Sequence, residues 1–157
     1  MTPAFTPQDP QFEARVRASF ARQAFMQTLG AGLERVAPGE VVIALPFRDA
    51  LAQQHGFLHA GVVTSVVDSA CGYAALALMP AGAAVLSVEF KVNLMAPAAG
   101  THFRAIGRVR KAGRTITVCE GELRAFTGEP GSDDAGTVVA IMQGTMMAVR
   151  DRPGLTD

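Results

Sequence analysis

The feature that most constrains the fold of this chain is a long apolar run from Ala60 to Leu78 in which Asp68 is the single charged residue. A polar loop with a glycine precedes the run, and Pro80 and Gly82 follow it. This pattern predicts one helix that is apolar on nearly all sides and is therefore enclosed by other elements. Because burying an ionised carboxylate is costly unless it is paired or used, Asp68 is the first candidate functional residue.

The rest of the chain is typical of strands joined by short connections. A hairpin with a Pro38–Gly39 turn is predicted between residues 33 and 46, and strands are predicted at about 87–94, 101–111, 114–126 and 137–149. An antiparallel sheet curled around the long helix is the simplest way to enclose that helix, so we predict an α+β fold. The Pro-rich residues 1–10 and an amphipathic helix from Gln11 to about Gln27, ended by Gly30 and Gly32, precede this core.

Length, charge and composition exclude several classes of protein. The 157 residues suffice for a single domain spanning 1–157, with 1–29 as an N-terminal extension and about 30–149 as the core. Fourteen basic and 14 acidic residues leave no basic excess for binding nucleic acid. The first residues lack a basic and apolar leader, which favours a cytoplasmic location. The long apolar run contains too many polar residues for a membrane span.

Cysteines and histidines give no motif of their own. Cys71 falls in the apolar helix and Cys119 in a strand, so both are predicted to be reduced and buried. The three histidines are scattered, with no cluster of cysteines, histidines and carboxylates, and no metal site is expected.

The spacing of His59 and Asp68 bears on how a site is assembled. Within one helix, nine residues correspond to about 900° of rotation and roughly 13 Å of rise, which places the two side chains on opposite faces. One copy of the chain cannot bring both to one reacting atom. Either His59 precedes the helix and is structural, or two copies share a site, as an exposed sheet edge would favour.

The start of the same helix offers a second chemical group. Its first amides, near Ala60 and Gly61, lack acceptors within the helix and lie at the positive end of its dipole. They can stabilise a carbonyl oxygen that gains negative charge, and Gly61 permits close approach of a ligand. A carboxylate such as Asp68 can act as nucleophile or as general base on water, while Gln53 orients the reactants. This combination suits hydrolysis of an activated acyl group.

The pattern Gln53-x5-His59-Ala60-Gly61-x6-Asp68-Ser69-Ala70 resembles that of the hotdog-fold acyl-CoA thioesterases of the phenylacetate-pathway (PaaI-like) type. The stretch from Ser87 to Pro97 also looks like the strand that follows the helix in that family. The resemblance covers about residues 30–149. It implies a hotdog fold and hydrolysis of acyl-CoA by a homodimer or a dimer of dimers. It also implies that coenzyme A is part of the substrate and that no metal or redox cofactor is needed.

The resemblance implies a role for each matching residue. Asp68 matches the catalytic carboxylate, which the opposite subunit supplies, and Gln53 matches the Asn or Gln near the water or thioester. Ala60 matches the residue whose amide polarises the thioester carbonyl, where the family usually has Gly. His59 matches the histidine that shapes the loop, and Ser87 a serine that positions water in some members. Gly72 stands where one aryl-CoA branch has a catalytic Thr, which argues against close similarity to that branch.

Several alternatives stay open. Arg108, Lys111 and Arg114 bracket a predicted turn and form either a solvated hairpin tip or a clamp for coenzyme A phosphates. Asp68 could instead cap a neighbouring loop. The rival functions are a non-catalytic acyl-CoA-binding hotdog protein, a hotdog hydratase or dehydratase, and a structural assembly protein. The sequence does not identify the acyl group.

Overall fold

The computed structural model describes residues 5–129, 135–155 and 157, and these form one antiparallel sheet around one long helix. Two short helices come first, followed by two strands, the long helix and four more strands. In chain order the elements are α1 (Phe12–Arg22), α2 (Ala24–Leu29), β1 (Gly32–Ala37), β2 (Glu40–Pro46), α3 (Ala60–Leu76), β3 (Ala84–Leu94), β4 (His102–Ala112), β5 (Ile116–Phe126) and β6 (Thr137–Val149). The strand order is β1-β2-β4-β5-β6-β3, and every neighbouring pair is antiparallel. The predicted hotdog fold is confirmed.

Two glycines set how closely α3 lies on the sheet. A Cβ on Gly107 of β4 would lie 2.3 Å from the backbone of Ala70, and one on Gly121 of β5 would lie 2.5 Å from Val67. No side chain fits in either space, so the middle of α3 rests directly on the backbones of the two central strands. The second half of α3, from Ala70 onwards, is buried throughout.

The prediction of one helix from Gln11 to about Gln27 is wrong, because the chain leaves the helical conformation at Gln23. This residue has φ −78° and ψ 92°, and it separates α1 from α2. In a continuous helix Met26 would lie about 240° around the axis from Phe20 and would face away from the core. The break allows both side chains to be buried. Gly30, with φ +73°, then ends α2 as predicted.

Apolar and polar residues alternate from Ser87 to Leu94, which predicts a half-buried strand, and this prediction is wrong for the single chain. The strand forms β3, the end strand of the sheet, and large apolar side chains are exposed along it, including Val88 at 54% and Leu94 at 53%. The alternation of apolar and polar residues is present, but the described residues place nothing over the apolar face. The described part of one chain therefore leaves uncovered the face that the pattern predicts to be buried.

Arg15 joins the N-terminal extension to the end of α3. Its guanidinium donates hydrogen bonds to the carbonyls of Leu76 (2.9 Å), Met79 (2.7 Å) and Pro80 (2.5 Å), and it lies 3.5 Å from the carboxylate of Asp9. The carbonyls of Leu76 and Pro80 also accept hydrogen bonds from the amides of Met79 and Ala83, so Arg15 adds a second donor to these two and supplies the donor of the Met79 carbonyl.

Cys71 and Cys119 are fully buried free thiols, as predicted. Within the described part of the chain, no helix combines the length and apolar character that crossing a membrane requires.

Candidate active site

His59 caps the start of α3. Its ring Nδ1 accepts a hydrogen bond of 2.8 Å from the amide of Gly61, and its carbonyl accepts from the amides of Val62 and Val63. The backbone at His59 is extended (φ −62°, ψ 138°), so the residue stands just before the helix. This arrangement corresponds to the structural alternative for His59, in which the ring fixes where the helix begins.

The amide of Ala60 is the first of α3, and it has no hydrogen-bond acceptor among the described residues. Ala60 lines a cavity of about 520 Å³ whose other lining residues are apolar apart from Gln53. An unpaired amide at the positive end of a helix, in apolar surroundings, is suited to hold an oxyanion.

Gln53 is the polar residue of this cavity. Its side-chain oxygen accepts a hydrogen bond from the amide of His55, and its backbone is held by Gly56 and Phe57. The oxygen is thus occupied within the loop, and the side-chain NH₂ is left to donate to a ligand. Gln54 is exposed and does not line the cavity, so the structure distinguishes two residues that the sequence alone does not.

Asp68 lies in a different cavity, of about 350 Å³. The hydroxyl of Ser87 donates a hydrogen bond of 2.8 Å to its Oδ1. Burial raises the pKa of the Asp68 carboxyl, and the hydrogen bond from Ser87 partly offsets that rise. A carboxylate with a raised pKa is a stronger base than one in water, which suits proton abstraction from water.

The two groups do not meet within one chain. Ala60 and Asp68 are eight residues apart on α3, or roughly 12 Å along its axis, and they line separate cavities. The structure brings Gln53 together with Ala60, and Ser87 together with Asp68. Each chain therefore carries these two pairs of residues in separate cavities.

The basic residues near the β4–β5 turn line neither cavity. Arg108 pairs with Glu40 at 2.8 Å and with Glu122 at 3.3 Å on the outer face of the sheet. Lys111 and Arg114 are exposed at the turn. Among the described residues, no group of three or more His, Cys, Asp and Glu side chains is arranged to hold a metal ion.

Sequence reasoning missed the contribution of α1. Ser19 and Arg22 of α1, with Gln23 directly after it, line the cavity that contains Asp68. They are distant from Asp68 in the sequence and belong to no recognisable motif. The one indication in the sequence was Gln23, a polar residue at the point where the apolar periodicity of the predicted helix changes.

Gly72 lies one turn after Asp68 and faces the same cavity. A Cβ built on it would meet nothing within 4 Å. Unlike Gly107, this glycine does not serve close packing. It leaves open space beside the carboxylate.

The chain is similar in sequence or in fold to thioesterases. A sequence profile described as the thioesterase superfamily matches residues 55–132. The crystal structure of a thioesterase family protein from Silicibacter pomeroyi is 49% identical, with a TM-score of 0.83, and the match covers 88% of this chain and 98% of that one. The PaaI protein of the phenylacetic acid degradation operon of E. coli has a TM-score of 0.78 at 20% identity, covering 95% and 98%. A thioesterase from Haemophilus influenzae has a TM-score of 0.74 at 16% identity, covering 95% and 94%.

Proposed function

The chain belongs to the thioesterase superfamily, and from this we propose that it hydrolyses acyl-CoA thioesters to a free acid and coenzyme A. The observation that carries the proposal is the pair of half-sites on α3. One provides an unpaired amide at Ala60 with the NH₂ of Gln53, and the other provides Asp68 with Ser87. Together they supply an oxyanion donor and a base or nucleophile, the groups that acyl transfer to water requires.

In the proposed reaction the thioester carbonyl oxygen accepts hydrogen bonds from the Ala60 amide and the Gln53 NH₂. Asp68 either removes a proton from a water that attacks the carbonyl carbon or attacks that carbon itself. In the second case water then hydrolyses the anhydride. The C–S bond breaks in either route, and the sulfur leaves as the thiolate of coenzyme A and takes up a proton. The step needs no cofactor.

We propose that two copies of the chain form the complete site. The half-sites of one chain are roughly 12 Å apart along α3, and this is too far for one carbonyl group to contact both. The uncovered apolar face and free edge of β3 offer a surface on which a second copy can pack. In such a homodimer, Ala60 of one subunit works with Asp68 of the other. A dimer of dimers is compatible with the same arrangement.

Lys111 and Arg114, exposed at the β4–β5 turn, are the candidates for contacting the phosphates of coenzyme A. Arg108 is a weaker candidate, because Glu40 and Glu122 already occupy its guanidinium.

The first test is release of free thiol from a panel of acyl-CoAs, comparing the wild type with Asp68→Asn. We expect a loss of about 100-fold or more in a folded variant. No turnover of any thioester by the wild type would contradict the proposal. Binding without turnover would favour a non-catalytic acyl-CoA-binding protein.

A mixing experiment tests the shared site. Asp68→Asn and Gln53→Ala are each inactive as homodimers, but a mixed dimer contains one intact site. With random exchange of subunits, half of the dimers are mixed and half of their sites are intact, so about one quarter of the wild-type activity returns. If each site lay within a single chain, mixing would restore nothing.

A further inference from the structure

Gly72 lies in the buried half of α3, where glycine is an unfavourable residue. Its backbone is helical, so no positive φ requires a glycine at this position. Close packing does not require one either. Apart from its own helical backbone, a Cβ at Gly72 would meet none of the described atoms within 4 Å, in contrast with Gly107 and Gly121. The open space belongs to the cavity that contains Asp68, so we look for its purpose in the substrate.

The space at Gly72 continues the cavity along α3, away from Asp68. Gly72 is one turn beyond Asp68 on the helix, or roughly 6 Å along its axis. On β3, Val85 precedes by two residues, about 7 Å, the Ser87 whose hydroxyl contacts Asp68. All of these residues line the same cavity. The cavity therefore extends from the pair Asp68 and Ser87 to the pair Gly72 and Val85.

A contact between α1 and β3 bounds this space at Val85. The carboxylate of Asp157 accepts hydrogen bonds from the hydroxyl of Ser19 (2.7 Å) and from the amide of Val85 (3.1 Å). An arm of the substrate that runs from Asp68 past Gly72 meets this contact after about 7 Å. The pantetheine arm of coenzyme A cannot end there, because it continues to a nucleotide. The arm that fits is the acyl group.

We propose that Gly72 is a specificity-determining residue that leaves room for a branch on the acyl carbon next to the thioester carbonyl. The inference rests on the proposed function, because it places that carbonyl beside Asp68. The space is wide next to the carboxylate, where the Cβ is missing, and it is short beyond that point. A compact, branched acyl group fits these dimensions, and a long straight chain does not.

The experiment measures thiol release from hexanoyl-CoA and from its branched isomer, α-ethylbutanoyl-CoA. The two acyl groups contain the same atoms and differ in the ethyl branch next to the carbonyl. The enzymes are the wild type, Gly72→Ala, Gly72→Leu and Gly32→Ala. Gly32→Ala is the matched control, because a Cβ there also meets nothing within 4 Å and Gly32 lies outside the cavity. Thermal unfolding confirms that each variant is folded.

We expect the wild type to hydrolyse both esters. Gly72→Ala should lower kcat/KM for the branched ester, relative to the straight one, by about tenfold, which is the usual effect of one methyl group in a substrate pocket. Gly72→Leu should lower this ratio by about 100-fold. Gly72→Ala should also raise Tm by about 2–4 °C, because alanine is the better helix former and meets no obstacle. Gly32→Ala should leave the ratio unchanged.

Three results would overturn the inference. Hydrolysis of the straight ester alone by the wild type would mean that the cavity does not admit the branch. An equal loss for both esters in Gly72→Ala would mean that the space serves a part that both share, such as the pantetheine arm. Full activity of Gly72→Leu on both esters would place the acyl group elsewhere, in the apolar cavity at Ala60.

If the wild type hydrolyses neither ester, the proposed function fails separately. The dissociation constants of both esters for the wild type and for Gly72→Ala then decide the inference. Weaker binding of the branched ester alone by Gly72→Ala would support it, and equal binding constants for the two proteins would overturn it.

Discussion

Replacing Gly107 with Ala should both destabilise the protein and impair its active site. The added Cβ would lie 2.3 Å from the backbone carbon and oxygen of Ala70, whereas non-bonded carbons pack at roughly 3.5 Å. The helix must therefore move by about 1.2 Å, the difference between those two distances. Because the obstacle is backbone in the middle of α3 and not a mobile side chain, we expect a cost near the upper end of overpacking, about 3 kcal/mol.

For a domain of this size, that cost corresponds to a fall of about 6–12 °C in Tm. Asp68 is two residues from Ala70, so the same displacement should lower kcat/KM by about 10–100-fold. Thermal unfolding and thiol release measure the two effects. Gly32→Ala in β1 is the matched control, because a Cβ there meets nothing within 4 Å. If Gly107→Ala unfolded at the same temperature as this control, the close approach of α3 to β4 would be refuted.

Four further predictions concern other parts of the molecule. Arg15→Met should lower the free energy of unfolding in urea by about 3 kcal/mol, since it removes the cation beside the buried Asp9 carboxylate and the hydrogen-bond donor of the Met79 carbonyl. A change within error would show that α1 does not depend on this contact. Burial raises the pKa of Asp68, so its contribution to stability is full at pH values below the carboxyl's unfolded pKa and is lost as pH rises through the folded pKa. Asp68→Asn should therefore unfold at the same or a higher Tm than the wild type at pH 7, and a clear fall would contradict the burial penalty. Ser87→Ala removes a hydrogen bond to the ionised carboxylate, so the acid limb of the kcat/KM profile should move to higher pH, and an unchanged limb would mean that Ser87 does not act on Asp68. Phe90→Glu on the exposed face of β3 should yield monomers without activity in sedimentation and thiol-release measurements, whereas an active dimer would place the interface elsewhere.

Parts of the site could be predicted because they are local. The free amide at Ala60 and the spacing from His59 to Asp68 lie within one stretch of chain, where helix geometry fixes their relative positions. The prediction that the Gly61 amide is also free is wrong, because that amide donates to the ring of His59. The contact between Asp68 and Ser87 is not local. The resemblance implies only that Ser87 matches a serine that positions water in some members, and the contact with Asp68 depends on how β3 lies beside α3.

Other parts could not be predicted. The break at Gln23 is favoured because it buries Phe20 and Met26 together, and that gain exists only when the core is present. The exposure of β3 follows from its place at the end of the sheet. An alternating pattern indicates which face of a strand avoids water. It does not indicate whether the same chain or another molecule covers that face.

The sequence by itself determined the enclosed helix and the antiparallel strands. It also identified Asp68 as a functional candidate, because a buried helix rarely contains a carboxylate without a use or a partner. Periodicity and spacing act over a few residues, so they can be read along the chain. The tertiary structure alone decided that Ala60 and Asp68 line separate cavities and that residues of α1 line the cavity beside Asp68. These depend on contacts between residues far apart in the sequence, which arise only when the sheet and α3 pack together.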